Sequence, residues 1–429
     1  MGVFTLPAHH RGLRGAVTLP TSKSLTNRAL VASAVAGGGT IVAPLDCDDT
    51  RVLAAALVDA GWPVEWETDI TIGERSVPDH RARLDLADSG TGSRLILALL
   101  AASPGRSIVD GSARLRQRPM GPLLESLTRL GAQVRSKHGF LPVEIDGIVL
   151  DGGVVEVQPE ISSQFVSALV LAGPLMHDGL DLSVSGQLPS APYLDLTVDV
   201  MRAFGSELEV SENKRQWRIP PAPLQRAHYS VEGDWSAAAF VLAAVAVAGG
   251  EVEVRTLDPA SRQGDRAVVR ILADAGLDVD WLDDGLIARG PVTAPISADL
   301  RHTPDLFPAL AAAAVCAPPG SRFFGLDHLK HKESDRLTVM VENLERIGAR
   351  LRVSGSELVV EATLGPGSGS VPGVSAAGDH RIAMAMAVAA LAGGPLELDD
   401  PRCVTKSFPR FWEVWDRLLA GPEGEGIVR

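Results

Sequence analysis

The sequence holds 429 residues, with 40 Lys and Arg against 53 Asp and Glu, a net charge of −13. That length allows two or three domains with substantial cores, and the acidic balance argues against a nucleic-acid surface or a polybasic membrane patch, so any anion must be captured locally. Apolar residues make up 45% and aromatics 4%, with 43 Gly, which excludes disorder and predicts a core of closely approaching Ala, Val and Leu.

Along the chain one unit recurs six times. A small-residue helical segment opens each copy, over 27–40, 93–106, 163–179, 236–251, 307–321 and 380–394. A second, amphipathic helix follows within 50–61, 121–131, 193–205, 265–276, 335–348 and 409–419. In the second of these, Leu123, Leu124, Leu127 and Leu130 fall at helical spacing and Gly131 supplies the stop. β-like stretches such as AQVRS, SELEV, LDVDW and ARLRV come next. The spacing of about 70 residues exceeds ordinary solenoid periods of roughly 20 to 50, so the pattern predicts two compact halves of three units, dividing near Ala227, with the segment QRAHYSVEGD opening the fourth unit.

The small-residue helices begin TSKS, DSGT, ISSQ, GDWS, TPD and GDHR. Each resembles an N-cap, where hydroxyls, free backbone N–H groups and the helix dipole favour an anion. Capping alone does not account for the cations nearby: Lys23, Arg28, Arg94, Arg118, Arg336, Arg381 and Lys406. Together they predict a site for multiply anionic substrates, with Asp305 and Glu333 as groups able to move protons. The longest apolar run, over 237–248, is too short for a bilayer core that needs about 20 residues. The first residues carry no apolar signal core, and Leu6 stands where myristoylation wants Ser or Thr. Three Cys (Cys47, Cys316, Cys403) are too few and scattered for a disulfide framework or a zinc cluster. These features predict a cytoplasmic protein.

The motifs LPTSKSLTNRAL, DSGTGSR, QRPMG, SSQF, SAPYLDLT, VEGDWSAAAF, PDLFPALA, KESDRL, GDHRIAMA and TKSFPRF, in that order, resemble those of the 5-enolpyruvylshikimate-3-phosphate synthase family. The resemblance implies an α/β (α+β) fold of two similar domains, 21–228 and 1–20 with 229–429. Each would be built from three βαβαββ units as an inside-out α/β barrel, with the active site in the interdomain cleft. It implies transfer of the enolpyruvyl group of phosphoenolpyruvate to the 5-hydroxyl of shikimate 3-phosphate, without cofactor or metal, by a monomer with no nucleic-acid or membrane partner. By the same resemblance, Lys23, Ser24, Arg28, Ser162, Ser163, Gln164, Ser190, Tyr193, Asp305, His328 and Lys332 hold shikimate 3-phosphate. Lys23, Gly90, Thr91, Arg118, Gln164, Arg336, Arg381 and Lys406 hold phosphoenolpyruvate, and Lys23, Asp305, Glu333 and His380 are catalytic. The chain departs from the family with Thr21 for Gly ahead of SKS and with His328 where Asn is usual. An enolpyruvyltransferase acting on UDP-N-acetylglucosamine would usually carry a Cys in the loop before Arg118, and SARLRQRP has none. A non-catalytic repeat protein would explain the periodicity but not the placed charges.

Overall fold

The structure, a computed structural model, describes residues 4–9, 11–159, 162–364 and 371–421; Ile161 of the third helix start lies outside the described residues. The chain divides into two compact units, Thr21–Val231 and Met1–Pro20 with Glu232–Arg429, and each encloses its own apolar core.

The middle of the first unit shows the repeat most plainly. Strand Ala82–Asp85 leads through helix Gly90–Ala101 to strand Gly105–Asp110, then through helix Gly121–Arg129 to the hairpin Gln133–Lys137 and Phe140–Gly147. The first two strands pair in parallel, as a helical crossover requires, and the hairpin pairs antiparallel beside them. Gly131 (φ 94°) ends the second helix as its sequence position predicts, because L side chains seldom adopt that conformation. Residues 153–219 repeat the same order.

At the two ends of this pattern the chain trades strands. Leu13–Thr18 pairs in parallel with Gly250–Arg255 and so leads a sheet of the Glu232–Arg429 unit. Conversely, His228–Ser230 pairs in parallel with Gly39–Val42. The strand within 225–234 therefore completes the first sheet instead of opening the fourth unit as the periodicity suggested; only the residues from Glu232 on belong with that unit, where Asp234 caps helix Trp235–Ala248. Local pattern could not reveal this, since the partner strand lies almost 190 residues away in sequence. In the sixth unit Phe4–Leu6 lies antiparallel to Leu396–Leu398, which pairs in parallel with Gly373–Val374.

The small-residue helices occupy the centres. Lys23–Val35, Gly90–Ala101 and Gln164–Ala172 pack on one another in one unit, and Trp235–Ala248, Phe307–Ala314 and His380–Gly393 do so in the other. They are enclosed on nearly all sides, which explains their apolar circumference, and their Ala content lets the backbones approach closely. Their starts differ from the uniform caps expected. Ser89, Asp234 and Asp379 do accept first-turn N–H groups, whereas Ser22 and Ser163 make no side-chain cap bond. The Ser163 hydroxyl donates instead to the Ser190 carbonyl at 3.2 Å. Thr303 precedes a short 3-10 turn, Pro304–Leu306, rather than the helix itself.

Candidate functional site

In the Thr21–Val231 unit the first two turns of helix Lys23–Val35 carry Lys23, Ser24 and Arg28. The Lys23 ammonium meets Asp49 Oδ2 at 2.9 Å, both groups being buried. Arg28 is only 1% exposed and donates to Thr197 Oγ1 at 2.9 Å, the Ser24 carbonyl at 2.9 Å, Ser167 Oγ at 3.4 Å and the Tyr193 carbonyl at 3.1 Å. All four acceptors are neutral. Burial therefore pulls its pKa down to about 10, with Tyr193 and Tyr229 acting weakly the other way.

Next to this, the start of helix Gly90–Ala101 and the residues around Ser162 form a polar chain. Gln164 donates to Thr91 Oγ1 at 2.8 Å and accepts from Arg94 Nη1, which also reaches Ser162 Oγ. Arg118 is buried, and its Nε has no hydrogen-bond partner among the described residues. Its guanidinium lies against the Gly90 backbone so closely that a Cβ there would stand 2.0 Å from Arg118 Nη1. Ser190 sits in the left-handed region (φ 56°), unusual for a non-glycine residue, and its carbonyl accepts from Ser163 and from the Tyr193 N–H.

The Glu232–Arg429 unit holds a different cluster. Arg336, the first residue of helix Arg336–Arg346, is also only 1% exposed. It donates to Asp379 Oδ2 at 2.7 Å, Glu333 Oε2 at 2.6 Å and Asp305 Oδ1 at 2.7 Å. Burial alone would lower its pKa, but Asp379, Glu333 and Asp305 hold it well above the usual value. Arg381 Nη2 reaches Asp305 Oδ2 at 3.0 Å, and Lys332 lies 3.9 Å from Oδ1. Asp379 fixes the frame, accepting also from the Ser334 hydroxyl and from the Arg381 N–H at the helix start.

His328 is buried, with no hydrogen-bond partner for Nε2 among the described residues. Burial first, then Lys332, pushes its pKa down to about 3, so the ring is neutral near pH 7 and can serve as a neutral hydrogen-bonding group. His380 is fully enclosed, with Nδ1 3.8 Å from Asp379, so it meets the cluster through Asp379. Lys406 is buried at the end of the short turn Pro401–Lys406.

The residues expected from sequence thus fall into two groups, one in each unit. Others were missed. Thr197 and Ser167 orient Arg28 from 169 and 139 residues away, a relation no local motif carries. Asp265 is a buried carboxyl that accepts from Ser236 Oγ; burial first, then Asp305, raises its pKa to about 6. Asp379 was visible only as a cap in GDHR, and its hold on Arg336 was not. Asp49, the fourth residue of DCDDTR, could have been suspected only as a charge at a helix start.

A family model described as EPSP synthase (3-phosphoshikimate 1-carboxyvinyltransferase) matches residues 8–415. A Halobacterium salinarum protein named 3-phosphoshikimate 1-carboxyvinyltransferase is 38% identical over 429 residues, covering 96% of this chain and 98% of its own. A protein of the same name from Methanoregula boonei is 37% identical, covering 97% and 100%. Among solved structures, an EPSP synthase from Acinetobacter baumannii superposes with a TM-score of 0.79 at 26% identity, covering 97% of this chain and 98% of that one.

Proposed function

The chain belongs to the EPSP synthase family, and from that premise we infer that it transfers the enolpyruvyl group of phosphoenolpyruvate to the 5-hydroxyl of shikimate 3-phosphate. The products are 5-enolpyruvylshikimate 3-phosphate and phosphate, on the route to aromatic amino acids. Shikimate 3-phosphate is assigned to Lys23, Ser24, Arg28, Ser162, Ser163, Gln164, Ser190, Tyr193, Asp305, His328 and Lys332. Phosphoenolpyruvate is assigned to Lys23, Gly90, Thr91, Arg118, Gln164, Arg336, Arg381 and Lys406. Arginine suits this task because its planar fork matches carboxylate and phosphate oxygens.

In the addition step the hydroxyl proton passes to Asp305, the hydroxyl oxygen bonds to the enolpyruvyl C–O carbon, and Glu333 delivers a proton to the methylene carbon. In the elimination step that proton is lost, the double bond reforms and phosphate leaves. Lys23 contributes positive charge and acid–base assistance to both steps, and His380 positions Asp379. The observation that carries the reading is the buried Arg118 guanidinium, lying against Gly90 with an Nε that has no partner among the described residues: an enclosed cation so placed suits an incoming anion.

The reading has the chain act in the cytoplasm as a monomer, and no helix among the described residues is long and apolar enough to cross a membrane. Its test is phosphate release from phosphoenolpyruvate with shikimate 3-phosphate or UDP-N-acetylglucosamine as acceptor. Release with the first alone is expected. Release with the sugar nucleotide alone overturns the reading, and binding of both substrates without release favours a non-catalytic repeat protein.

A further inference from the structure

Asp305, assigned above to accept the hydroxyl proton, is already occupied in this structure. Oδ1 accepts from Arg336 Nη1 at 2.7 Å and lies 3.9 Å from the Lys332 ammonium, and Oδ2 accepts from Arg381 Nη2 at 3.0 Å. Burial by itself would raise its proton affinity, yet Arg381, Lys332 and Arg336 outweigh burial and hold the carboxyl well below the usual carboxylate range. A general base works best with a pKa near the operating pH. A carboxylate gripped by three cations is badly matched to that task.

Two of the three cations, Arg336 and Arg381, are the groups assigned to phosphoenolpyruvate. We propose that Asp305 is a latched base: Arg336 and Arg381 hold it in the ligand-free protein, and the anionic groups of phosphoenolpyruvate draw Arg381 away and take over the Nη1 edge of Arg336, freeing the carboxylate to take the hydroxyl proton. This inference rests on the reading of the site given above. On release, the O–H bond breaks toward Asp305 and its electron pair forms the new O–C bond, so the base acts only when its electrophile is in place.

The surroundings fit such an exchange. Arg336 need not leave its seat, because Asp379 holds Nε at 2.7 Å and Glu333 holds Nη2 at 2.6 Å; only the Nη1 edge changes partner. Among the other groups facing Asp305, Asp265 raises its proton affinity by its negative charge, Glu333 does so only until it carries the proton it delivers to the methylene carbon, Lys332 opposes them, and His328 is neutral.

The experiment follows the side-chain carboxyl resonance of Asp305 with pH in protein labelled with carbon-13 aspartate, assigned by the Asp305→Asn variant. Samples contain shikimate 3-phosphate with and without 2-phospholactate, which carries the carboxylate and phosphate of phosphoenolpyruvate but no double bond and so cannot react. The latch predicts that phospholactate raises the Asp305 midpoint by at least one pH unit, a tenfold gain in proton affinity. It also predicts that Arg381→Gln raises the midpoint in the ligand-free protein, where no substrate is involved. An unmoved midpoint in either arm, in protein that releases phosphate from phosphoenolpyruvate, overturns the latch and leaves the reaction standing. Failure of the wild-type chain to turn over shikimate 3-phosphate and phosphoenolpyruvate overturns the reading of the reaction, while the Arg381→Gln arm still reports on the clamp.

Discussion

Arg28 and Arg336 are equally enclosed, each 1% exposed in its own unit, and they are charged residues of opposite kinds. Arg28 donates to hydroxyls and carbonyls, and its proton is held less firmly than usual. Arg336 donates to three carboxylates, and its proton is held more firmly. Burial of a guanidinium therefore says little about its task; the charge of its partners decides. Neutral partners leave a positive charge inside the Thr21–Val231 unit, at a cost in desolvation that a phosphate can offset. Carboxylate partners spend the charge internally, so in the Glu232–Arg429 unit the cation serves first to place acids.

The largest effect that would break this contrast is Arg336→Met. It strands Asp379, Glu333 and Asp305, and should cost about 3–5 kcal/mol of stability by urea unfolding; a loss under about 1 kcal/mol would mean that the carboxylates do not depend on it. Glu333→Gln keeps the shape of the cluster and should slow turnover by about a hundredfold to ten-thousandfold, with an unchanged circular-dichroism spectrum. Wild-type kcat in that variant removes Glu333 from proton transfer.

Arg28→Met probes the other member of the pair. It should weaken shikimate 3-phosphate binding by roughly tenfold to a hundredfold in calorimetry, the worth of a charged hydrogen bond, while stability falls by only about 1–2 kcal/mol. Equal stability losses at Arg28 and Arg336 would erase the distinction.

Asp265→Asn sharpens it through pH. The folded-state pKa of Asp265 is raised to about 6 by burial and then by Asp305, so its contribution to stability is present below the unfolded value near 4 and is lost as pH rises through about 6. The variant should thus gain about 1–3 kcal/mol on the wild type between pH 4 and pH 7. Asp305, with its depressed pKa, contributes in the opposite sense: stability present above the unfolded pKa and lost as pH falls further into acid. A parallel pH dependence in wild type and Asp265→Asn would contradict the buried, raised carboxyl.

Smallest is Gly90→Ala, whose Cβ would push on the end of the Arg118 side chain. We expect a near-wild-type melting temperature and roughly tenfold higher KM for phosphoenolpyruvate, equivalent to about 1.4 kcal/mol; an unchanged KM would detach Arg118 from that substrate.

Much of this was legible in sequence where the signal is local. The six small-residue helices, the glycine stop at Gly131 and the Lys and Arg beside the helix starts are all set by spacing and residue type. What was not legible depends on long separations. The strand His228–Ser230 reads as the opening of the unit that follows it, because its own alternation does not say that Gly39–Val42 is its neighbour. Uniform capping was expected from Ser and Asp alike, yet Ser163 turns to Ser190 while Asp379 caps its helix and clamps Arg336. Composition identifies a side chain able to accept a hydrogen bond, and only the fold decides which of several donors reaches it.

The measurement that bears most directly on the central claim follows an oxygen-18 label placed in the bridging C–O–P oxygen of phosphoenolpyruvate, with shikimate 3-phosphate as acceptor. Attack at the enolpyruvyl carbon breaks the C–O bond, so the account predicts that the label leaves in the released phosphate while the acceptor gains an unlabelled enol ether oxygen of its own. Phosphate released without the label, from cleavage on the phosphorus side, would contradict it.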